Sequence, residues 1–218
     1  MKKYKGIIFD IDGTLTSTNE LIFASFNHIT NKYLNKTFTP DEIVKFFGPP
    51  EDVIIKELCG EEYNNARKDY YDFYTANHTI ADLYPGIKEL LHFIKSKNVL
   101  LSIYTGKGRT AAEITLKELK IFSLFDLIIT GDDIKDHKPS PEGVTKFLEK
   151  FDLKKDEVLM IGDSPSDIKA ARAAGIEIAS VVWDSYAKEE VLKLKSDYIF
   201  YSVEELKKFL DENLDKSL

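Results

Sequence analysis

The chain has 218 residues, with 30 basic and 37 acidic side chains and a net charge of −7. That length holds one large domain, or a domain with a subdomain, and buries roughly 70% of the unfolded surface. Hydrophobic residues at 43% exclude wholesale disorder. The acidic balance, without any basic block, excludes a nonspecific nucleic-acid binder, and no apolar run approaches the roughly 18–20 residues of a membrane span.

The N-terminus reads Met1-Lys2-Lys3-Tyr4-Lys5, then Gly6-Ile7-Ile8-Phe9-Asp10. The basic start imitates a signal peptide, but its apolar part is too short for one. Cys59 has no second cysteine to pair with. A reducing cytoplasm and an inert, packed thiol are expected.

Residues 6–10 read as a first strand. A helical block follows over 16–83, with helices expected at about 18–34, 40–47, 50–59 and 61–78. Thr39-Pro40 with Glu42 marks one helix start as a capping box. Beyond residue 84, β-branched runs alternate with amphipathic helices. Strands are expected at 99–104, 127–130, 158–161, 179–182 and 198–200. Helices are expected at about 85–97, 108–119, 140–151, 165–174, 187–194 and 203–212, with Ser140, Ser164 and Ser202 as caps. Continuous apolar strands are buried on both faces, as in a parallel sheet. The expected fold is α/β: a doubly wound, Rossmann-like parallel sheet core with an inserted all-helical cap. The expected boundaries are 1–15 and 84–218 for the core and 16–83 for the cap.

Open parallel sheets bind ligands at the carboxyl ends of their strands, and four signals sit there. The first is Asp10-Ile11-Asp12-Gly13-Thr14-Leu15. Two close carboxylates there suit a cation, or a nucleophile beside an acid/base. The second is Thr105-Gly106-Lys107-Gly108-Arg109, an anion site at a helix N-terminus, with Lys107 and Arg109 adding positive charge. The third is Lys138-Pro139, a lysine placed to neutralise an oxyanion. The fourth is Gly162-Asp163-Ser164-Pro165-Ser166-Asp167, whose carboxylates suit a hard cation or, for Asp167, a partner in Lys138. Asp132, Asp133 and Asp136 read as a solvated loop, and His137 as a surface histidine.

These four signals, in this order, resemble the motifs of the haloacid dehalogenase-like phosphatases. The resemblance spans almost the whole chain. It implies Asp10 as the nucleophile that forms an aspartyl-phosphate, and Asp12 as acid and base. It implies Thr105 and the Gly106 amide as phosphate ligands, and Lys138 as the charge-neutralising residue. It implies Mg²⁺ held by Asp10, the Asp12 main-chain carbonyl and Asp163, with Asp167 in support. An aspartate at position 12 argues against the halide-releasing members.

Thr18-Asn19-Glu20-Leu21-Ile22 and Phe47-Gly48-Pro49-Pro50 resemble the phosphoglycolate phosphatase and pyrophosphatase branch. There, a Gly-Pro turn (here at Gly48) faces the active site. One departure is Gly106, where many phosphoglycolate phosphatases carry asparagine. The activity implied is Mg²⁺-dependent hydrolysis of a small phosphorylated metabolite. A phosphomutase of the β-phosphoglucomutase type, or a non-enzymatic binding protein on the same fold, stands as the alternative.

Overall fold

A run such as Gly6-Ile7-Ile8-Phe9 makes a stable strand only where both faces are covered. In the computed structural model, which describes residues 4–214, it lies at the centre of the molecule. Six strands form one parallel sheet: β1 (Gly6–Phe9), β2 (Leu100–Tyr104), β3 (Leu127–Ile129), β4 (Val158–Gly162), β5 (Glu177–Val181) and β6 (Tyr198–Phe200). Their order is β3-β2-β1-β4-β5-β6. Strand pleating sends alternate residues of β1 to opposite sides. Ile7 and Phe9 pack in one buried cluster with α5 (Ile87–Ser96), α6 (Arg109–Glu118) and α10 (Val203–Asn213). Ile8 packs in the other with α7 (Glu142–Phe151), α8 (Pro165–Ala174) and α9 (Lys188–Leu194). The chain leaves β1 first to one side and later returns to the other. The sheet's switch point therefore lies at the carboxyl end of β1, between β2 and β4.

The segment between β1 and α5 is helical: α1 (Asn19–Leu34), α2 (Pro40–Val44), α3 (Glu51–Cys59) and α4 (Tyr63–Ala76), with short 3₁₀ turns. It has its own buried cluster, rich in aromatics. Phe26 lies 5.0 Å from Tyr70, and Phe38 lies 5.3 Å from Phe46. The two chain crossings into this layer run side by side. The Ser17 N–H donates to the Asp82 carbonyl at 2.9 Å, and the Tyr84 N–H to the Leu15 carbonyl at 3.1 Å. Against the sheet domain the layer leans on α6. Ala111 joins its core, and the Tyr74 and Thr115 hydroxyls meet at 2.7 Å. Cys59 is buried, and burial raises its thiol pKa, which keeps it unreactive.

Several expected details shift. Helix α2 stops at Val44 rather than residue 47, ahead of a turn in which Gly48 adopts φ +131°. Helix α7 begins at Glu142 rather than Ser140, whose hydroxyl still accepts the Glu142 N–H at 3.2 Å. Ser202 caps α10 through the Glu205 N–H at 3.2 Å, but the Glu205 carboxylate turns to the Tyr201 N–H. The acidic loop is not merely solvated. Asp132 accepts the first N–H of α6, from Arg109, at 2.6 Å. Asp133 closes a capping box on Thr130. Arg109 is spent on the same structure, paired with Asp133 and donating to the Ile128 carbonyl at 3.0 Å.

The two layers approach most closely where glycines leave room. A Cβ on Gly106 would stand 2.8 Å from the Gly48 carbonyl oxygen, and one on Gly108 would stand 2.8 Å from Glu51 Oε2. An asparagine side chain at position 106 has no space under this turn. Gly106→Asn is therefore expected to fold but to lift the helical layer off the sheet. The readouts are a larger radius of gyration in small-angle X-ray scattering and faster hydrogen exchange around residues 46–52. Unchanged exchange there would show that the turn accommodates a side chain.

Candidate active site

Asp10 follows β1 directly, and its N–H donates to the Ile161 carbonyl of β4 at 3.0 Å. The chain then turns sharply at Gly13, which takes φ +78° and lies against the Asp163 carboxylate, where a Cβ would collide. The two aspartates ahead of this turn face different partners. Asp10 faces Lys138 and the β4 end, whereas Asp12 faces Thr18 and Lys107.

Around Asp10 lies a buried acidic cluster. Oxygens of Asp10, Asp163 and Asp167 all fall within 4.8 Å of one another. Asp167 is placed by its helix start. It is the third residue of a capping box in which its carboxylate accepts the Ser164 N–H at 3.1 Å and hydroxyl at 2.6 Å. Its other oxygen accepts from Lys138 Nζ at 2.7 Å. Asp163 accepts the Thr14 hydroxyl at 3.0 Å, and its main-chain carbonyl accepts the Ser185 hydroxyl at 2.6 Å.

Lys138 lies 3.1 Å from Asp10 Oδ1 as an ion pair, yet that oxygen is buried without a hydrogen-bond donor. Burial raises the Asp10 pKa to about 6, with the Lys138 charge opposing the rise. Burial and the neighbouring Asp10 push Asp163 well above the usual carboxylate range. Burial works against the Lys138 charge, but Asp10 and Asp167 more than offset it and raise its pKa. Three carboxylates facing one ammonium leave an excess of negative charge. The donors are all oxygen, and one is unsatisfied. A hard divalent cation fits this set. The Asp12 carboxylate is not part of it.

The second network is built around Lys107, whose side chain is 1% exposed. Its Nζ lies 3.2 Å from both oxygens of Asp12 and 3.4 Å from Glu51 Oε1. Burial disfavours its charge, but Asp12, Tyr74 and Glu51 together raise its pKa well above the ordinary value. Asp12 also accepts the Thr18 hydroxyl. Thr105 Oγ1 accepts the Lys107 N–H at 3.3 Å. Thr105 and Gly106 line the pocket above, together with Gly48. The anion position expected at the start of α6 is filled by the protein itself. Glu51, on α3, accepts the Gly108 N–H at 2.7 Å. Burial raises the Glu51 pKa, and Lys107 opposes the rise.

Of the residues singled out at strand ends, Asp10, Asp12, Thr105, Gly106, Lys107, Lys138 and Asp163 line one cavity, and Asp167 lies fully buried behind them against Lys138. Arg109 does not line it. His137 is only partly exposed rather than on the open surface, with its Nδ1 buried and unpartnered. Glu51, Thr14, Thr18 and Tyr186 were missed. Glu51 could have been flagged as an acid in the first turn of a helix, but its burial has no local signature.

The cavity measures about 560 Å³ and lies between the sheet edge and the helical layer. The haloacid dehalogenase-like hydrolase family matches residues 7–181. Pyrophosphatase PpaX of Bacillus mycoides is 31% identical over 205 residues, covering 94% of this chain and 95% of its own. Pyrophosphatase PpaX of Anoxybacillus flavithermus is 32% identical over 201 residues, covering 92% and 94%. Among solved structures, a predicted phosphoglycolate phosphatase from Haemophilus somnus superposes with a TM-score of 0.86 at 25% identity, over 96% of this chain and 99% of that one. With the strand-end residues gathered at one pocket, these matches establish that the chain belongs to the haloacid dehalogenase-like hydrolases, as an enzyme of their phosphatase type.

Proposed function

We propose that the chain is a Mg²⁺-dependent phosphatase that hydrolyses a small phosphorylated metabolite through an aspartyl-phosphate. Residues 16–83 act as a cap over a core of 1–15 and 84–218. The observation that carries the reading is Asp10 itself. It follows the central strand at the switch point, lines the cavity, and shares a tight cluster of carboxylate oxygens with Asp163 and Asp167 beside the Lys138 ammonium.

Asp10 attacks phosphorus as a carboxylate. The new O–P bond forms as the ester P–O bond breaks, and the leaving oxygen takes that electron pair and a proton from Asp12. Water then gives a proton to Asp12 and attacks phosphorus. The Asp10–phosphorus bond breaks, which releases inorganic phosphate and restores both carboxyl groups. Thr105 and the Gly106 N–H bind the non-reacting phosphoryl oxygens. Lys138 balances charge beside Asp10. Asp10, Asp163 and the Asp12 main-chain carbonyl hold Mg²⁺, with Asp167 behind them. The ion supplies positive charge to the phosphoryl oxygens. Lys107 and Thr18 fix the Asp12 carboxylate in place. The names of the relatives make pyrophosphate and phosphoglycolate natural members of a substrate panel.

A candidate β-phosphoglucomutase from Thermotoga maritima also superposes, with a TM-score of 0.76 at 29% identity, over 98% of this chain and the whole of that one. Release of inorganic phosphate from a simple monoester, without a bisphosphate activator, separates the two activities in favour of the phosphatase.

Asp10→Asn should lower phosphate release by at least about 10³-fold while leaving the circular dichroism spectrum unchanged, because it removes the nucleophile that makes the covalent intermediate. Retention of activity would remove Asp10 from that role.

The same variant tests the electrostatics without turnover. The Asp10 pKa rises from 3.8 to about 6 on folding. Stability owed to this group is therefore full below pH 4 and lost as pH climbs through about 6. Asparagine suffers no such loss. In EDTA, Asp10→Asn is expected to gain on the wild type across that window, levelling off near 2–3 kcal/mol at about 1.4 kcal/mol per pH unit. Urea midpoints from pH 4 to 8 measure this, and parallel curves would contradict it. Adding Mg²⁺ should stabilise the wild type more than the variant.

A further inference from the structure

The cavity has two unlike ends. Its floor, where Asp10, Thr105 and Lys138 meet, is polar. Its roof and wall come from Ile22, Phe26, Val44, Phe47 and Ile54 of the helical layer, with Tyr186 facing them from the loop after β5. Tyr186 stands edge-on to Phe23 at 5.9 Å, and Phe23 stacks on Phe47 at 6.3 Å, so aromatic rings close the mouth from both layers.

Two of the cavity's cations are already committed. Lys138 is held by Asp10 and Asp167, and Lys107 by Asp12 and Glu51. Lys169 also borders the space, but it is exposed at the rim alongside the exposed Glu190. The Gly108 N–H at the start of α6 is taken by Glu51. A leaving group with its own negative charge, seated under the helical layer, would meet the buried Glu51 carboxylate and a lysine already paired with it.

We infer that the substrate is a phosphate monoester whose leaving group is uncharged and largely apolar, seated against Phe26, Phe47 and Ile54, and that Glu51 is the specificity residue that excludes leaving groups carrying a second negative charge. This rests on the phosphatase reading above. It sets the chain apart from the substrate for which its pyrophosphatase relatives are named.

The test compares kcat/KM, at saturating Mg²⁺, for methyl, ethyl and n-butyl phosphate, phosphoglycolate and pyrophosphate. The alkyl series should rise steeply with chain length, up to about fourfold per buried CH₂. Butyl phosphate should exceed phosphoglycolate and pyrophosphate at least tenfold. Glu51→Gln keeps the shape and removes the charge. It should raise the ratio of phosphoglycolate to butyl phosphate about tenfold, whereas a merely structural Glu51 would leave that ratio unmoved. Tyr186→Ser, at a position 54% exposed, should flatten the chain-length dependence. A flat alkyl series, or pyrophosphate or phosphoglycolate matching butyl phosphate, overturns this inference and leaves the phosphatase reading standing. If folded, Mg²⁺-supplied protein hydrolyses nothing in the panel, the phosphatase reading itself falls.

Discussion

Negative charge forced together at the carboxyl ends of β1 and β4 is the constraint on which the rest of the structure depends. Asp10, Asp163 and Asp167 bring their oxygens within 4.8 Å of one another in a place that water scarcely reaches. Such a cluster persists only where cations and fixed dipoles offset it. The surrounding architecture supplies these. The start of α8 presents the Ser164 N–H and hydroxyl to Asp167, and the loop before α7 delivers Lys138 between Asp10 and Asp167. The Gly13 turn lets the first loop approach Asp163. What these groups leave unbalanced, three carboxylates against one ammonium, is negative charge that a divalent cation would offset.

The second pair of charges has a different task. Lys107 divides its charge between Asp12 of the core and Glu51 of the helical layer. Because Lys107 bridges the two layers, the position of the helical layer bears directly on the surroundings of Asp12. A layer displaced from the sheet would take Glu51 away and leave Lys107 facing Asp12 alone. On the proposed reading, layer position and acid/base chemistry are thereby linked through a single ammonium. The glycines at 106 and 108 make the link possible, since side chains at either position would hold Glu51 and the Gly48 turn at a distance.

The sheet and the strand-end residues were legible in the sequence for a physical reason. Parallel strands buried on both faces are continuous apolar runs. Asp10, Thr105, Lys138 and Asp163 each follow such a run, directly or through a short loop, so strand order alone brings them together. The helix starts were legible where the cap is local, as at Thr39 and Ser164. Contacts that close over long sequence distances were not. Lys107 and Arg109 look alike in sequence as two cations beside one helix start. One is buried against Asp12 and Glu51, while the other is spent on Asp133. Glu51 resembles any acid in a helix's first turn until the packing of α3 against α6 is known. The glycine at 106 reads as a missing amide in the sequence and as room for the Gly48 carbonyl in three dimensions.

The overall charge of −7 bears little on how an anionic substrate is received. Residues 16–83 hold 11 acidic and 6 basic side chains, so most of the excess sits in the helical segment. Charges on its outer surface act through solvent, where screening reduces them within roughly 8 Å at physiological salt. The buried charges are not screened in this way, and they decide. At the floor, Lys138 stands beside Asp10. Under the helical layer, Glu51 takes up part of the Lys107 charge and the Gly108 N–H. On the proposed reading, a phosphoryl group at the floor meets an ammonium, and its leaving group meets a carboxylate and a gradient of falling positive charge. A phosphate ester with a neutral tail matches that gradient, whereas a second anionic group works against it.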